Sequence, residues 1–257
     1  MTRGNRAVSP PCFVGASLLP PLDSPPVIDF GSTVEFLGWA ARRFVFRASK
    51  LASLKAELTN IVEFKPTDTE LVTAILFRRI VLASETFRPA MVDVVVNLRP
   101  KLAPPLPENA IGNLAIGVSV SAERRDDTEL REFVRRIRRG LIEFYNEKAI
   151  GFKGEDKVGM VCDLFKEQAK RWERGIFAYS FSSLCKFPIY ETDFGWGKPA
   201  WVTVPMLCPT YMVLTDTKSG DGVEVWTTLG DEVMAVLEHD EELLAFASLN
   251  PSMSTTE

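Results

Sequence analysis

Asp193-Phe194-Gly195-Trp196-Gly197-Lys198-Pro199 is the stretch on which the reading of this chain turns. Two glycines around a tryptophan permit backbone angles that side-chain-bearing residues resist, and Asp193 can fix such a loop through a cation partner. On residue chemistry alone two readings stay open: a glycine-rich turn ahead of a strand at 200–207, or a functional loop.

Outward from this loop, strands are expected at 200–207, 211–215 and 223–228. The last two are joined by Lys218-Ser219-Gly220-Asp221-Gly222 as a hairpin, and a helix closes the region over 231–237. Toward the amino end, 126–145 is the clearest helix. Leu130, Phe133, Val134, Ile137, Leu141 and Phe144 recur at threes and fours and share one face. The apolar, β-branched run 92–96 predicts a strand covered on both faces, and 114–121 alternates like a half-buried one. Residues 42–46 read as a short strand and 48–58 as a helix. Thr67 and Glu70 have the spacing of a capping box that opens a buried helix reaching about 83. The first forty residues, with Pro20-Pro21 and Pro25-Pro26, read as a connector. Strands mixed with helices throughout define an α/β chain with a mixed β-sheet and flanking helices.

Composition narrows the function. The 257 residues carry 46% apolar side chains, enough for a sizeable core, and a net charge of -4. That acidity argues against nucleic acid or an anionic membrane, since phosphate binding needs a cationic field. No apolar run approaches the ~20 residues that span a bilayer, so a cytoplasmic protein is expected. Cys12, Cys162, Cys185 and Cys208 are far apart and form no CxxC pair, which predicts reduced thiols and no metal.

Several local patterns have ordinary explanations. Seven arginines lie between Arg124 and Arg139, yet Asp127 with Arg131 and Glu132 with Arg136 are four apart, the spacing of ion pairs on a solvated helix face. The lone His239 sits in an acidic run without a second His or Cys, which argues against a metal or a triad. Asp193-Phe194-Gly195 matches the magnesium triplet of kinases, but no glycine-rich phosphate loop or catalytic-loop pattern accompanies it. A GxSxG elbow, a Walker loop and a GxGxxG turn are also absent from the sequence.

Taken with its neighbours, the opening stretch resembles the DFGWG signature of plant BAHD acyltransferases, which move an acyl group from coenzyme A to an alcohol or amine. Asn97-Leu98-Arg99-Pro100, Pro104-Pro105-Leu106-Pro107 and Gly112-Asn113 resemble the family's central block, and Glu242 through Pro251 its usual ending. Lys198-Pro199 with Trp201-Val202 is similar to the alkaloid acetyltransferase subgroup that contains vinorine synthase. The resemblance implies a chloramphenicol acetyltransferase-like fold, two α/β halves with a channel between them.

It further implies that 1–41 is a remnant of the amino-terminal half and the crossover, Thr2-Arg3-Gly4 resembling sequence just after the catalytic HxxxD motif, and that 42–257 is the carboxyl-terminal half. The HxxxD general base would then be missing, since Leu243 rather than Asp follows His239 by four. By family resemblance Asp193 pairs with Arg99, and Phe194, Gly195, Trp196 and Gly197 shape the loop near the coenzyme channel. Ser182-Ser183-Leu184 matches a segment whose first and third side chains face the thioester, so Ser182 and Ser183 are channel candidates, while Leu184 offers no donor. Two expectations follow. One is an acyl-CoA-dependent O-acyltransferase half, acetylating a hydroxyl of a specialised metabolite such as an alkaloid, inactive alone or completed by a separate amino-terminal half. The other is a non-catalytic binding or interaction protein derived from such an enzyme.

Overall fold

The run 90–97 is buried on both faces, as its composition demands, and it is paired along both edges. A computed structural model describes residues 10–20, 23, 38–84, 86–102, 104–148, 157–204 and 209–252. In it seven strands form one sheet: β1 (Trp39–Arg47), β2 (Ala90–Asn97), β3 (Ala115–Ala122), β4 (Phe177–Ser183), β5 (Tyr211–Asp216), β6 (Gly222–Gly230) and β7 (Ala247–Leu249). Their order is β3-β2-β4-β5-β6-β1-β7. The β2–β4 and β4–β5 pairings are parallel and the rest antiparallel, so the sheet is mixed.

One face carries the core. Ala90, Val92, Val94 and Val96 of β2 join Ile116, Val118 and Val120 of β3, Phe181 of β4 and Phe44 and Phe46 of β1 in a single apolar cluster. Helices α1 (Gly15–Leu18), α2 (Ala48–Val62), α3 (Asp68–Leu82) and α4 (Leu130–Glu143) precede α5 (Lys157–Glu173), α6 (Asp231–Leu237) and α7 (Glu241–Leu244). Leu51, Leu54, Leu58 and Val62 of α2 repeat at threes and fours and are buried. Helix α3 is buried nearly all round, as its apolar composition predicts, and Phe77 stacks on Phe133 of α4 at 4.6 Å. Its start is the expected capping box: Glu70 N donates to Thr67 Oγ1 at 3.2 Å and Thr67 N to Glu70 Oε2 at 2.8 Å.

The β5–β6 hairpin forms where its turn chemistry places it. Asp221 accepts from the Thr217 and Ser219 hydroxyls, and Gly220 takes a positive φ of 70°. Gly222 is required for a different reason, since a β-carbon there would lie 2.2 Å from the Phe46 carbonyl oxygen.

Four expectations are corrected. Residues 200–204 form no strand, and Val202 N–H points to the Tyr190 hydroxyl at 3.4 Å instead of a ladder partner. The rest of that predicted strand, with Cys208, lies outside the described residues, as do Thr2-Arg3-Gly4. The 126–145 helix is divided: Arg125–Thr128 is a 3-10 turn, α4 follows, and Phe144–Lys148 closes as a π-turn. The connector is also more attached than expected, for Cys12 N–H donates to the Asn109 carbonyl and Ile111 N–H to that of Cys12.

The fourth concerns the arginine-rich face. Glu132 and Arg136 pair at 3.5 Å, but Asp127 does not pair with Arg131. Asp127 is buried, and Arg136 reaches back to it at 2.9 Å while Arg131 turns to Glu129. Arg138 likewise reaches the buried Glu70. Part of this face braces the core instead of being solvated throughout. Helix α5 and strands β4 and β7 are additional to the elements read from the sequence.

Candidate functional site

Opposite the helical core, the alternating residues of the strands mix polar groups such as Arg43, Asp93, Ser182 and Glu224 with apolar ones such as Val95 and Val213. Arg43 of β1 faces Trp226 of β6 across the ladder, and Glu224 lies two residues along the same strand. On this side stands the loop 193–199. Asp193 organises it from within: one carboxylate oxygen accepts from Gly195 N–H at 2.7 Å and Gly197 N–H at 3.0 Å. Gly195 and Gly197 both take φ of 109°, a conformation costly for any residue with a β-carbon. These backbone donors, with Lys198 assisting, hold the Asp193 carboxyl below its ordinary range. Lys198 itself pairs with Glu191.

The aromatic side chains of the loop point outward. Phe194 is 58% and Trp196 83% exposed, and their rings stack at 5.7 Å. So large an exposed aromatic pair on a glycine-hinged loop is an unusual surface for a loop with only a structural role.

Asp193 and Arg99 are not paired. Arg99 donates to the carbonyls of Ala110 at 2.9 Å and Gly112 at 2.7 Å, stabilising its own proline-rich turn. Each member of the expected pair is satisfied locally. The buried cation of the loop region is Arg43 instead, a residue that the sequence reading did not single out.

Ser182 and Ser183 are adjacent on β4, so they project to opposite faces of the sheet. The Ser183 hydroxyl lies 3.3 Å from that of Thr69 at the start of α3 and accepts from Cys185 N–H. Ser182, between Val95 of β2 and Val213 of β5, has no side-chain hydrogen bond among the described residues. Burial, opposed by the bond with Ser183 and reinforced by Asp216, pushes the Cys185 thiol up to about 11, so it is a poor nucleophile.

Two hollows flank these residues. A cavity of about 390 Å³ lies between the start of α3 and helix α4, lined by Thr67, Thr69 and Thr73, by the Glu70–Arg138 ion pair, and by Val94, Leu141 and Tyr145. A second, of about 470 Å³, is bounded by Tyr190 and Ala200 on either side of the loop and by Arg43, Arg47 and Glu224 below. His239 is remote from chemistry of this kind: it is exposed, with Nδ1 3.1 Å from the Ala235 carbonyl.

A mixed sheet with helices on its core face and a glycine-hinged aromatic loop on the other is the architecture of the chloramphenicol acetyltransferase-like transferases. The Transferase family model matches residues 1–244, and the chain belongs to that family, the BAHD acyltransferases. It is 36% identical to akuammiline synthase 1 of Alstonia scholaris, covering 93% of this chain and 57% of that protein. To a 17,18-epoxy-17-hydroxycur-19-ene N-malonyltransferase of Strychnos nux-vomica it is 35% identical, over 97% of this chain and 54% of the relative. The crystal structure of vinorine synthase superposes with a TM-score of 0.74 at 26% identity, covering 95% of this chain and 56% of that one. The fold extends to F. graminearum TRI101 crystallised with coenzyme A and T-2 mycotoxin, at a TM-score of 0.63, 16% identity, and 91% and 56% coverage. The chain therefore spans about half the length of the relatives it matches. No helix among the described residues is long and apolar enough to cross a membrane.

Proposed function

We propose that residues 42–257 are the carboxyl-terminal half of an acyl-CoA-dependent O-acyltransferase, with 1–41 a remnant of the amino-terminal half and crossover. Acyl-CoA, most simply acetyl-CoA, is the cosubstrate, and the acceptor is a hydroxyl of a plant specialised metabolite such as an alkaloid. The carrying observation is the self-closed Asp193 loop with its outward Phe194–Trp196 pair, held in a chain 36% identical to an alkaloid-forming relative over nearly its whole length.

In this reaction the acceptor oxygen attacks the thioester carbonyl, the new C–O bond forms as the C–S bond breaks, and the acceptor proton is removed while CoA leaves as the thiol. This chain's residues supply binding surface. The cavity beside Thr69 and Ser183 has apolar and hydroxyl-bearing side chains in its lining, which suits the amphiphilic pantetheine arm. Ser183 shares the face of β4 that meets this cavity, so its hydroxyl is the one that can donate to the acyl oxygen, while Ser182 offers its hydroxyl on the opposite face. The sequence carries no HxxxD motif to supply the base. His239 is its single histidine, and it lies exposed in the turn after α6 with its Nδ1 against the Ala235 carbonyl. A separately supplied amino-terminal half would bring that base.

A second reading, a non-catalytic binding or interaction protein derived from a BAHD enzyme, draws support from Leu184, which cannot donate where the family segment has a donor.

The test is twofold. Calorimetry of the purified chain with CoA is expected to give saturable binding, and absence of binding would refute the assigned cosubstrate surface. A thiol-release assay with acetyl-CoA and a panel of alcohols is expected to stay at the level of heat-treated protein until an HxxxD-bearing half is added. Turnover by the chain alone would refute the missing base, and failure of the added half to restore turnover would favour the non-catalytic reading.

A further inference from the structure

Asp193 closes the tip of the loop but says nothing about what holds its stems to the sheet. The stems are Tyr190 at the entry, which lines the hollow beside Arg43 and Glu224, and Trp201 at the exit, which meets Arg43. Arg43 is 7% exposed and Glu224 6% exposed, with Arg43 Nη1 3.5 Å from Glu224 Oε2. The Arg43 guanidinium carbon lies 5.8 Å from the ring centroid of Trp201 and 5.8 Å from that of Trp226, and the two indoles are 5.9 Å apart. Tyr190 is close enough to feel both charges: burial raises its hydroxyl's pKa, Glu224 adds to the rise and Arg43 opposes it. The same arginine donates through Nη2 to the Pro251 carbonyl, and its backbone N–H donates to the Asn250 side chain at 2.9 Å.

We infer that Arg43 is the positioning residue of the Asp193 loop, clamping the exit at Trp201 between sheet and carboxyl-terminal tail. The chemistry suits arginine. Its flat, weakly hydrated guanidinium can lie against indole faces while its edge serves a carboxylate and a carbonyl, a combination that an ammonium cannot reproduce. The clamp also gives the buried pair a role beyond stability, to which buried ion pairs often add little. Segments from β1, β6, the loop and the tail, far apart in sequence, meet at this one side chain. The inference does not depend on the acyl-transfer reading, and neither does its test.

Chymotrypsin cuts after exposed aromatic residues, and Phe194 and Trp196 lie at the tip of the loop. Limited digestion followed by mass spectrometry of the fragments compares cleavage there with cleavage elsewhere in the full chain. Arg43→Met is expected to accelerate cleavage after Phe194 and Trp196 selectively, by about tenfold, as local opening of one segment demands. Arg43→Lys should fall between wild type and Arg43→Met, because it keeps the charge but loses the flat fork. Trp201→Leu leaves the Arg43–Glu224 pair in place, so it tests the clamp without stranding a buried carboxylate, and should show the same selective acceleration. Equal acceleration at every site would mean that Arg43 only supports global stability. That result, or unchanged loop cleavage in Trp201→Leu, overturns the proposal.

Discussion

Arg138 of α4 grips Glu70 of α3 with two nitrogens, Nε on one carboxylate oxygen and Nη2 on the other at 2.6 Å. Glu70 thus does two jobs: it completes the capping box with Thr67 and ties α4 to the start of α3. Burial alone would raise its carboxyl pKa, but the bonds from Arg138 and Thr67 hold it below 4.5.

Glu70→Ala is therefore expected to cost more than an ordinary cap. Loss of a cap costs roughly 1 kcal/mol, and stranding a partly buried arginine adds to it, so a total of about 2 to 4 kcal/mol is expected. Chemical denaturation compares it with Thr67→Ala, which removes only the cap. Equal losses in the two variants would show that the Arg138 bond carries nothing.

Gly222→Ala should weaken the sheet itself. The added carbon meets the Phe46 carbonyl, a backbone atom that cannot swing aside, and β1 must separate from β6 locally. Overpacking of this kind costs roughly 1 to 3 kcal/mol, readable as a fall in the denaturation midpoint. An unchanged midpoint would mean that the strand pairing yields more easily than its geometry implies.

Asp193 predicts a pH response with a definite sign. Its folded pKa lies below the ordinary 3.8, so the loop contacts are fully present above that value and are lost as pH falls through the lower folded value. Measured as the difference from Asp193→Asn, tryptophan fluorescence, sensitive to the Phe194–Trp196 contact, is expected to show an acid step centred below 3.8. A transition centred above 3.8 would contradict the stabilised carboxylate.

The outward aromatic groups predict association. Phe187, Phe194, Trp196 and Trp201 are all substantially exposed within one short stretch. The purified chain is expected to bind an apolar dye and to scatter light as more than a monomer, and Trp196→Ser should reduce both signals. A monodisperse monomer that leaves the dye dark would count against a sticky loop surface.

Elements whose side chains repeat strongly were legible from sequence: β2, the β5–β6 hairpin, α3 with its capping box, and the face of α4. Helix α5 was not, since none of its described side chains is fully buried and its apolar positions blur the repeat. Strand β4 is interrupted by Ser180, Ser182 and Ser183, polar residues that a strand can hold when its neighbours are already paired on both edges. The reverse error occurred at 200–204, where Trp201, Val202 and Val204 look like a strand but lack a ladder partner. At the site, glycines two and four residues after Asp193 were a readable sign of a carboxylate that bonds its own loop. The Arg43–Glu224 pair had no such local sign, because it depends on the register of β1 against β6.

Strand β1 lies between β6 and β7, so both of its edges are covered by residues made long after it. A nascent chain carries this nine-residue strand unpaired until 222–249 have been synthesised, with Phe44 and Phe46 lacking their final shelter. Assembly of that side of the sheet must wait for late translation, which makes these aromatic residues natural points of contact for a chaperone.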